Sequence, residues 1–414
     1  MMRREALRAA AGLFGVASIS AAAAPALPEA KLLERDPETY WARIRKEQFV
    51  LPEWRAFLNN GSLGVAPKPV LQAVADFLYK GASMNMPDGE YPRWGYETLD
   101  QHREEMAAYL GCRKDDLAFM HNATDALSTI ANGIDLNAGD EVVMTDQEHP
   151  SGKSGWAVRK ARHGIAVREV PIQFPPKDPG EIADRLISAI GPRTRVLFFS
   201  GMLSGTGVIA PVRQICDAAR AKGVITVVDG AHMNGQIPMR IDALGCDYYA
   251  GSPHKWMFAP AGCGILWGRE EMLDRLWPAI VTGQWDNKER KAARFMSMGT
   301  NNRAIFEGMI AGVRFANAIG PDRIFARIHS LAKGVRERAS KLPYLKLMTP
   351  DNDSMYGSLV SFEMPGIDGE KFGALCKQRK IWLIGAKRLR VSSHIHTRPS
   401  DIDLLFQTLE ESRT

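Results

Sequence analysis

Short apolar runs alternate with amphipathic, helix-length segments through the middle of the chain. The runs have the length and composition of buried strands, and they are predicted over 141–144, 167–170, 195–199 and 224–228. The segments between them are predicted as helices over 156–162, 181–190 and 212–222. Such alternation predicts right-handed β–α–β crossovers, and therefore a mostly parallel sheet in an α/β fold.

The pattern changes after Trp267. Two amphipathic segments, 306–319 and 321–341, predict helices, and short strands and helices alternate from there to the end of the chain. A polar stretch over 282–300 precedes them and is predicted to be irregular. The predicted divisions are an N-terminal arm (28–75), a large domain (76–300) and a smaller α+β domain (301–414).

The first residues, 1–27, have the pattern of an export signal. Arg3 and Arg4 precede a weakly apolar segment rich in alanine and glycine, and small residues follow at 21–24, as signal peptidase requires. The arginine pair resembles a twin-arginine signal, although Ala6 stands where such signals carry a bulky apolar residue. We predict export by the twin-arginine machinery to the periplasm, with an ordinary alanine-rich helix as the alternative. The segment is too short and too weakly apolar for a stable membrane anchor.

Composition excludes several functions. The net charge of +6 is modest for 414 residues, and no lysine–arginine run is interleaved with aromatic residues, so we predict no nucleic-acid binding. The five cysteines follow neither a metal-ligand spacing nor a disulfide framework, so we predict core thiols and no metal. No glycine-rich nucleotide-binding motif follows a predicted strand.

Two residues with complementary chemistry follow two of the predicted strands. Asp229 ends the apolar run 224–228, and Lys255 comes shortly after a second short strand at 248–250. Open α/β sheets bind ligands at the ends of their strands. An enzyme that uses pyridoxal 5′-phosphate needs a lysine for the Schiff base and an acid for the pyridine nitrogen. The alternative is a surface lysine and a strand-end aspartate without a shared function.

Two polar turns are further candidates. The turn at 121–124 leads into a helix, and backbone amides at a helix start, together with the Thr124 hydroxyl, can bind a phosphate. A plain N-cap at Thr124 or Asn122 is the alternative. Asn60 lies in a glycine turn, where turn geometry alone explains it as well as a substrate contact does.

Eight motifs in a fixed order carry a family resemblance: NNGSLG, HNATDA, DQEHPS, SGTGVIAP, VDGAHMNGQ, GSPHKWMFAPAGCG, MGTNN and LRVSSHIHT. Residues 55–410 resemble the class V branch of the fold-type-I enzymes that depend on pyridoxal 5′-phosphate. That branch includes aminotransferases, cysteine desulfurases and isopenicillin N epimerase. The resemblance implies a large domain with a mostly parallel, seven-stranded sheet flanked by helices. It also implies a homodimer with shared active sites.

The resemblance also implies a role for each matching residue. Lys255 forms the Schiff base and then moves the proton at the substrate α-carbon, and Asp229 keeps the ring nitrogen protonated. His149 lies flat over the ring, and Arg390 binds the substrate carboxylate with both arms of its guanidinium. The implied phosphate ligands are Ala123, Thr124, Ser252 and His254, with Thr300 supplied by the neighbouring subunit. The other implied contacts are those of Ser204 and His232 with the cofactor, and of Asn60 with the substrate.

Three departures from the commoner pattern bear on the reaction. His232 replaces a glutamine, Ser204 replaces the asparagine of desulfurases, and His396 replaces an asparagine near the C-terminus. The first two resemble the isopenicillin N epimerase-like branch. We expect aminotransferase-type chemistry on an amino acid or a related compound, with epimerisation or C–S/β-lyase chemistry as alternatives. Persulfide chemistry is disfavoured because no cysteine lies on the approach to Arg390. A non-catalytic binding protein is a further alternative.

Overall fold

A computed structural model of the chain describes residues 26–83, 98–385 and 388–414. The export signal predicted over 1–27 therefore lies almost wholly outside the described residues. Within the described ranges, no helix combines the length and the apolar character that a membrane crossing requires.

Strands and helices alternate along the described chain, as the hydrophobic pattern predicts. The strands are β1 (Ala56–Phe57), β2 (Leu117–Met120), β3 (Glu141–Thr145), β4 (Ala166–Val170), β5 (Thr194–Ser200), β6 (Ile225–Asp229), β7 (Tyr248–Gly251), β8 (Gly264–Gly268), β9 (Lys346–Leu347), β10 (Leu359–Glu363), β11 (Ile381–Trp382) and β12 (Arg388–Ser392). The α-helices are α1 (Ala30–Arg35), α2 (Pro37–Gln48), α3 (Lys68–Ser83), α4 (Asp100–Leu110), α5 (Ala123–Gly133), α6 (Pro150–His163), α7 (Pro179–Ser188), α8 (Val212–Ala221), α9 (Pro253–Trp256), α10 (Glu270–Leu273), α11 (Ala304–Ile319), α12 (Pro321–Ser340), α13 (Gly369–Gln378) and α14 (Pro399–Glu411).

The central sheet has seven strands in the order β2-β8-β7-β6-β5-β3-β4. Strands β3 to β7 pair in parallel, and β8 pairs antiparallel with both β7 and β2. The apolar runs in β5 and β6 are buried, because helices cover both faces of a parallel sheet. The prediction of an α/β fold with a mostly parallel central sheet is confirmed.

Two further clusters of buried side chains lie outside the central sheet. One is built on β10 and β12, with α12, α13 and α14 packed around them, and it includes Ala56 and Leu58 from the N-terminal arm. The arm reaches this cluster because β1 pairs in parallel with β11. The other joins Tyr40 and Trp41 of α2 to Phe315 at the end of α11. The arm is thus tied to the rest of the chain by strand pairing and by aromatic packing.

The polar stretch over 282–300 is more ordered than its sequence predicts. It contains a 3₁₀ segment, Lys288–Met296, which is interrupted where Lys291 adopts a φ of 48°. The guanidinium of Arg294 is buried and donates to the carbonyl oxygens of Leu273 and Leu276, both at 2.7 Å. The stretch is irregular as predicted over 282–287 and 297–300, and it departs from the prediction over the 3₁₀ segment. The bonds from Arg294 hold that segment against residues outside the stretch, a contact that the local sequence does not reveal.

Candidate active site

A cavity of about 290 Å³ opens at the carboxyl edge of the parallel strands. Strands β3, β5, β6 and β7 end at this edge, and the residues that follow each strand line the cavity. The motifs that are far apart in sequence meet there because parallel strands place their carboxyl ends side by side. Lining residues include Ser62, Thr124, His149, Ser204, Asp229, His232, Lys255 and Arg390.

Lys255 lies on the short helix α9, and its side chain points to His232. Its Nζ is 3.0 Å from His232 Nε2. Burial lowers the pKa of Lys255 to about 8, with Asp229 opposing and Arg390 reinforcing the shift. The backbone is fixed as well, because the Asn60 side-chain amide donates to the Lys255 carbonyl oxygen at 2.7 Å. A lysine with a lowered pKa supplies more neutral amine near neutral pH than an exposed lysine does.

Asp229 is the last residue of β6, and its side chain is buried beside the cavity. Its Oδ1 accepts a hydrogen bond from the Ala231 backbone N–H at 2.9 Å. Burial raises the pKa of Asp229, while that hydrogen bond and the charges of Lys255 and His149 oppose the rise. A Cβ at Gly152 would lie 2.8 Å from Phe198 Cζ and 3.5 Å from Asp229 Oδ2. Glycine there avoids a clash with Phe198 and lets α6 pack beside the Asp229 carboxylate.

The start of α5 provides donors at another part of the cavity. The Asn122 side chain caps the helix by accepting from the Asp125 backbone N–H at 2.9 Å, and Ala123 and Thr124 then line the cavity. The Ala123 N–H donates to Ser252 Oγ at 3.3 Å. His254 Nδ1 lies 2.8 Å from the Cys263 carbonyl oxygen, which can only accept, so Nδ1 is the donor. A helix start with hydroxyls around it is a site for an anion.

Arg390, on β12, is a half-buried cation without a carboxylate partner among the described residues. Its two terminal nitrogens donate to neutral acceptors, at 3.1 Å to the Ser204 carbonyl oxygen, 3.2 Å to Asn59 Oδ1 and 2.6 Å to Ser62 Oγ. Its Nε is buried and has no hydrogen-bond partner. Burial lowers the pKa of Arg390 to about 10, so the group stays charged at neutral pH. The arrangement suits an incoming carboxylate.

Glu148 and His149 follow β3. His149 lines the cavity, whereas Glu148 is buried and does not line it. His149 Nδ1 accepts from the Ser151 N–H at 3.2 Å, and burial lowers its pKa, with Lys255 and Arg390 reinforcing and Asp229 opposing the shift. Glu148 accepts from Thr145 Oγ1 and Ser200 Oγ, both at 2.5 Å. Burial raises the pKa of Glu148 to about 7, and Asp229 adds to the rise.

The structure brings most of the predicted site residues together. His149, Asp229, His232, Lys255 and Arg390 line one cavity, as do Ala123, Thr124, Ser204, Ser252 and His254. Two predicted residues lie elsewhere. Asn60 is buried and does not line the cavity, and its side-chain amide donates to the Lys255 carbonyl oxygen. This position favours a structural role over a direct substrate contact. Thr300 is exposed and does not line the cavity of its own chain.

Three residues near the site carried no assigned role in the sequence prediction. Ser62 accepts a hydrogen bond from Arg390. Glu148 accepts from Thr145 at the end of β3 and from Ser200 at the end of β5. Trp256 contacts His232 through its indole nitrogen at 3.4 Å. Ser62 and Glu148 stand inside the motifs NNGSLG and DQEHPS, and Trp256 follows Lys255 directly. The motifs could therefore have pointed to these three residues. Their hydrogen-bond partners could not be read from the sequence, because the partners, apart from Thr145, lie far away along the chain.

Comparison with known proteins identifies the family. The model of the family described as "Aminotransferase class-V" matches residues 57–394. The chain is 34% identical over 400 residues to an isopenicillin N epimerase of Amycolatopsis lactamdurans, covering 90% of this chain and 98% of that protein. It is 27% identical over 340 residues to a probable cysteine desulfurase of Mycobacterium leprae, covering 77% of this chain and 78% of that protein. The chain belongs to the class V aminotransferase family, whose cofactor is pyridoxal 5′-phosphate.

Solved structures share the fold. A cystine C–S lyase, in complex with cysteine persulfide, matches with a TM-score of 0.78 at 24% identity, covering 87% of this chain and 98% of that one. A cysteine desulfurase of Escherichia coli matches with a TM-score of 0.77 at 22% identity, covering 90% and 98%. These likenesses bear on the architecture and confirm the fold-type-I prediction.

The described residues fit this cofactor. Pyridoxal 5′-phosphate requires an amine, an acid for the ring nitrogen and donors for the phosphate. The cavity provides them in Lys255, in Asp229 and at the start of α5, with His149 between. The guanidinium of Arg390 lines the same cavity and donates to neutral acceptors, which leaves its charge for a further anionic group, such as a substrate carboxylate.

Proposed function

We propose that this enzyme removes the α-proton of an amino-acid-type substrate and that Lys255 carries the proton. The observation that carries the proposal is a lysine of lowered pKa in the same cavity as a half-buried guanidinium, that of Arg390, which has no carboxylate partner in the described part of the chain. An α-amino carboxylate is a substrate that uses both groups. The bound cofactor supplies the electron withdrawal that makes the α-proton removable.

Each surrounding residue then has a task that its contacts support. Arg390 holds the substrate carboxylate, and Ser62 and Asn59 orient the guanidinium for it. Asp229, kept from water by burial, stabilises positive charge at the cofactor ring nitrogen. Asn60 fixes the backbone of Lys255, so the amine that moves the proton starts from a defined position.

We propose epimerisation as the fate of the substrate. The support is the 34% identity to an isopenicillin N epimerase across 98% of that protein, together with His232. Desulfurase chemistry is disfavoured because no cysteine is among the described residues that line the cavity, and four of the five thiols are buried. Burial raises the pKa of all five. Aminotransferase-type chemistry is the second candidate, favoured by the description of the matching family.

Incubation of the cofactor-loaded protein with L- and D-amino acids in D₂O tests this proposal. We expect deuterium at the α-carbon of the accepted substrate, because Lys255 exchanges its protons with solvent between removal and return. Inverted, labelled product supports epimerisation, and a pyridoxamine form with a 2-oxo acid supports transamination. The Lys255→Ala variant is the control. Absence of exchange across acidic, basic, polar and apolar substrates would contradict the proposal.

We also propose a homodimer with shared active sites. Thr300 supports it, because this predicted phosphate ligand is exposed and lies off the cavity of its own chain. A partner subunit would bring the residue to the other active site. Sedimentation equilibrium should give the mass of two chains, and a single-chain mass at every concentration would contradict the proposal.

Export to the periplasm through the twin-arginine machinery is a further proposal. The arginine pair and the small residues at 21–24 support it. This route carries folded proteins, which suits an enzyme that acquires its cofactor in the cytoplasm. We expect cell fractionation to recover the wild type in the periplasm and an Arg3→Lys, Arg4→Lys variant in the cytoplasm. Equal distribution of the two would contradict the proposal.

A further inference from the structure

His232 has a different partner on each ring nitrogen. Its Nε2 lies 3.0 Å from Lys255 Nζ, and its Nδ1 lies 3.4 Å from Trp256 Nε1. An indole nitrogen can only donate a hydrogen bond. Nδ1 of His232 is therefore the acceptor in the contact with Trp256.

The acceptor role of Nδ1 decides where the proton of the imidazole lies. A neutral imidazole carries one proton, so the proton of His232 is on Nε2, which faces Lys255. A second proton is disfavoured, because burial lowers the pKa of His232 well below its usual value. The charges of Lys255, Arg390, His149 and His254 act in the same direction. The Nε2–H consequently donates, and Lys255 Nζ accepts whenever the amine is neutral.

We propose that Trp256 is a positioning residue that holds His232 in the tautomer that donates to Lys255. An ammonium group has no lone pair, so only the neutral amine of Lys255 can accept this hydrogen bond. The Trp256–His232 pair therefore stabilises the neutral amine, the form that can bond to the cofactor. The proposal rests on the assigned role of Lys255 and explains how the residue after it supports that role.

The packing keeps both rings in place. Trp256 is only 1% exposed and stacks on His394 with ring centres 5.9 Å apart and an interplanar angle of 24°. His394 Nδ1 accepts from the Ile395 N–H at 2.8 Å, so its Nε2 donates to the Trp256 carbonyl oxygen at 3.2 Å. On the other side, a Cβ at Gly61 would lie 3.3 Å from His232 Cε1, so the glycine allows close approach. The orientation of His232 is thus fixed by two sides of its pocket.

Trp256→Phe tests the proposal because it removes the indole N–H and keeps an aromatic ring. The measurement is the pH dependence of Lys255 labelling in the apoprotein by reductive methylation, read by mass spectrometry. Loss of one hydrogen bond to the neutral form should raise the labelling midpoint by about one pH unit, which lowers labelling at pH 8 about fivefold. Asp229 and Arg390 also act on this amine, and both remain in the variant.

Trp267→Phe is the matched control. Trp267 is also buried, but its indole nitrogen has no hydrogen-bond partner in the described structure. We expect its labelling midpoint to stay at the wild-type value. An unchanged midpoint in Trp256→Phe, or an equal shift in both variants, would overturn the proposal.

A measurement on the wild type covers the case in which Trp256→Phe fails to fold. Long-range ¹⁵N–¹H spectra of the histidine-labelled apoprotein report the protonated nitrogen of His232, assigned by its loss in His232→Gln. We expect the proton on Nε2 below and above the pH at which Lys255 titrates, and a proton on Nδ1 would overturn the proposal. Both readouts use apoprotein, so a failure to bind the cofactor would count against the assigned role of Lys255 alone.

Discussion

Lys255→Ala should abolish covalent attachment of the cofactor and lower turnover by about a thousandfold or more, the upper part of the range for a lost proton-transfer group. No other lysine lines the described cavity, so no nearby amine replaces Lys255. The cofactor should still bind non-covalently, because Asp229 and the start of α5 are unchanged. The measurement is the visible absorbance of the imine before borohydride treatment and the near-ultraviolet absorbance of the fixed pyridoxyl group after borohydride treatment and dialysis.

Lys153→Ala is the matched control for that experiment. Lys153 lies on α6, next to the cavity-lining residue Gly152. Lys153 itself does not line the cavity, and its Nζ pairs with Glu169 at 2.6 Å. The control should keep the borohydride-fixed absorbance and the turnover of the wild type. If Lys255→Ala kept both the borohydride-fixed absorbance and the turnover of the wild type, the role given to Lys255 would be wrong.

Arg390→Lys should raise KM for the amino-acid substrate about 10- to 100-fold, the equivalent of about 1.5–3 kcal/mol for a charge-assisted hydrogen bond. Lysine keeps the charge but loses the planar fork, and a single ammonium cannot hold the substrate and the acceptors on Ser62 and Asn59 together. Cofactor affinity should change much less, because none of the predicted cofactor ligands lies on β12. Steady-state kinetics and cofactor titration measure the two effects separately.

Arg388→Lys provides the comparison on the same strand. Arg388 lies two residues before Arg390, its Nη2 is 3.7 Å from Glu363 Oε1, and it does not line the cavity, so its replacement should leave KM near the wild-type value. Two results would contradict the role given to Arg390. One is an unchanged KM in Arg390→Lys, and the other is a loss of cofactor affinity as large as the loss of substrate affinity.

The central sheet was predictable because its signal is local. Buried strands such as β5 and β6 are apolar runs, and a helix-length segment follows each of β3, β4 and β5. The position of Asp229 at a strand end follows from the same pattern. Lys255 was likewise identified by its place after a strand. The motif order then added His149 and Arg390 through family resemblance, and the structure places all four residues around one cavity.

The contacts between those residues were not predictable, because they depend on distances between segments far apart in sequence. Asn60 shows this most clearly. Its turn predicted either local geometry or a substrate contact, whereas its side chain supports the Lys255 backbone 195 residues away. The role of His232 was also open, since the sequence gives no orientation for its ring. The Trp256 indole supplies that orientation, and only the folded chain brings the two side chains together.

The central claim is that Lys255 is the residue that bonds to pyridoxal 5′-phosphate. Borohydride reduction of the loaded wild-type protein, followed by proteolysis and mass mapping, tests it most directly. We expect a pyridoxyl group on Lys255, in the peptide that contains Trp256, at one group per chain. A pyridoxyl group on another lysine, or none on a protein that binds the cofactor, would contradict it.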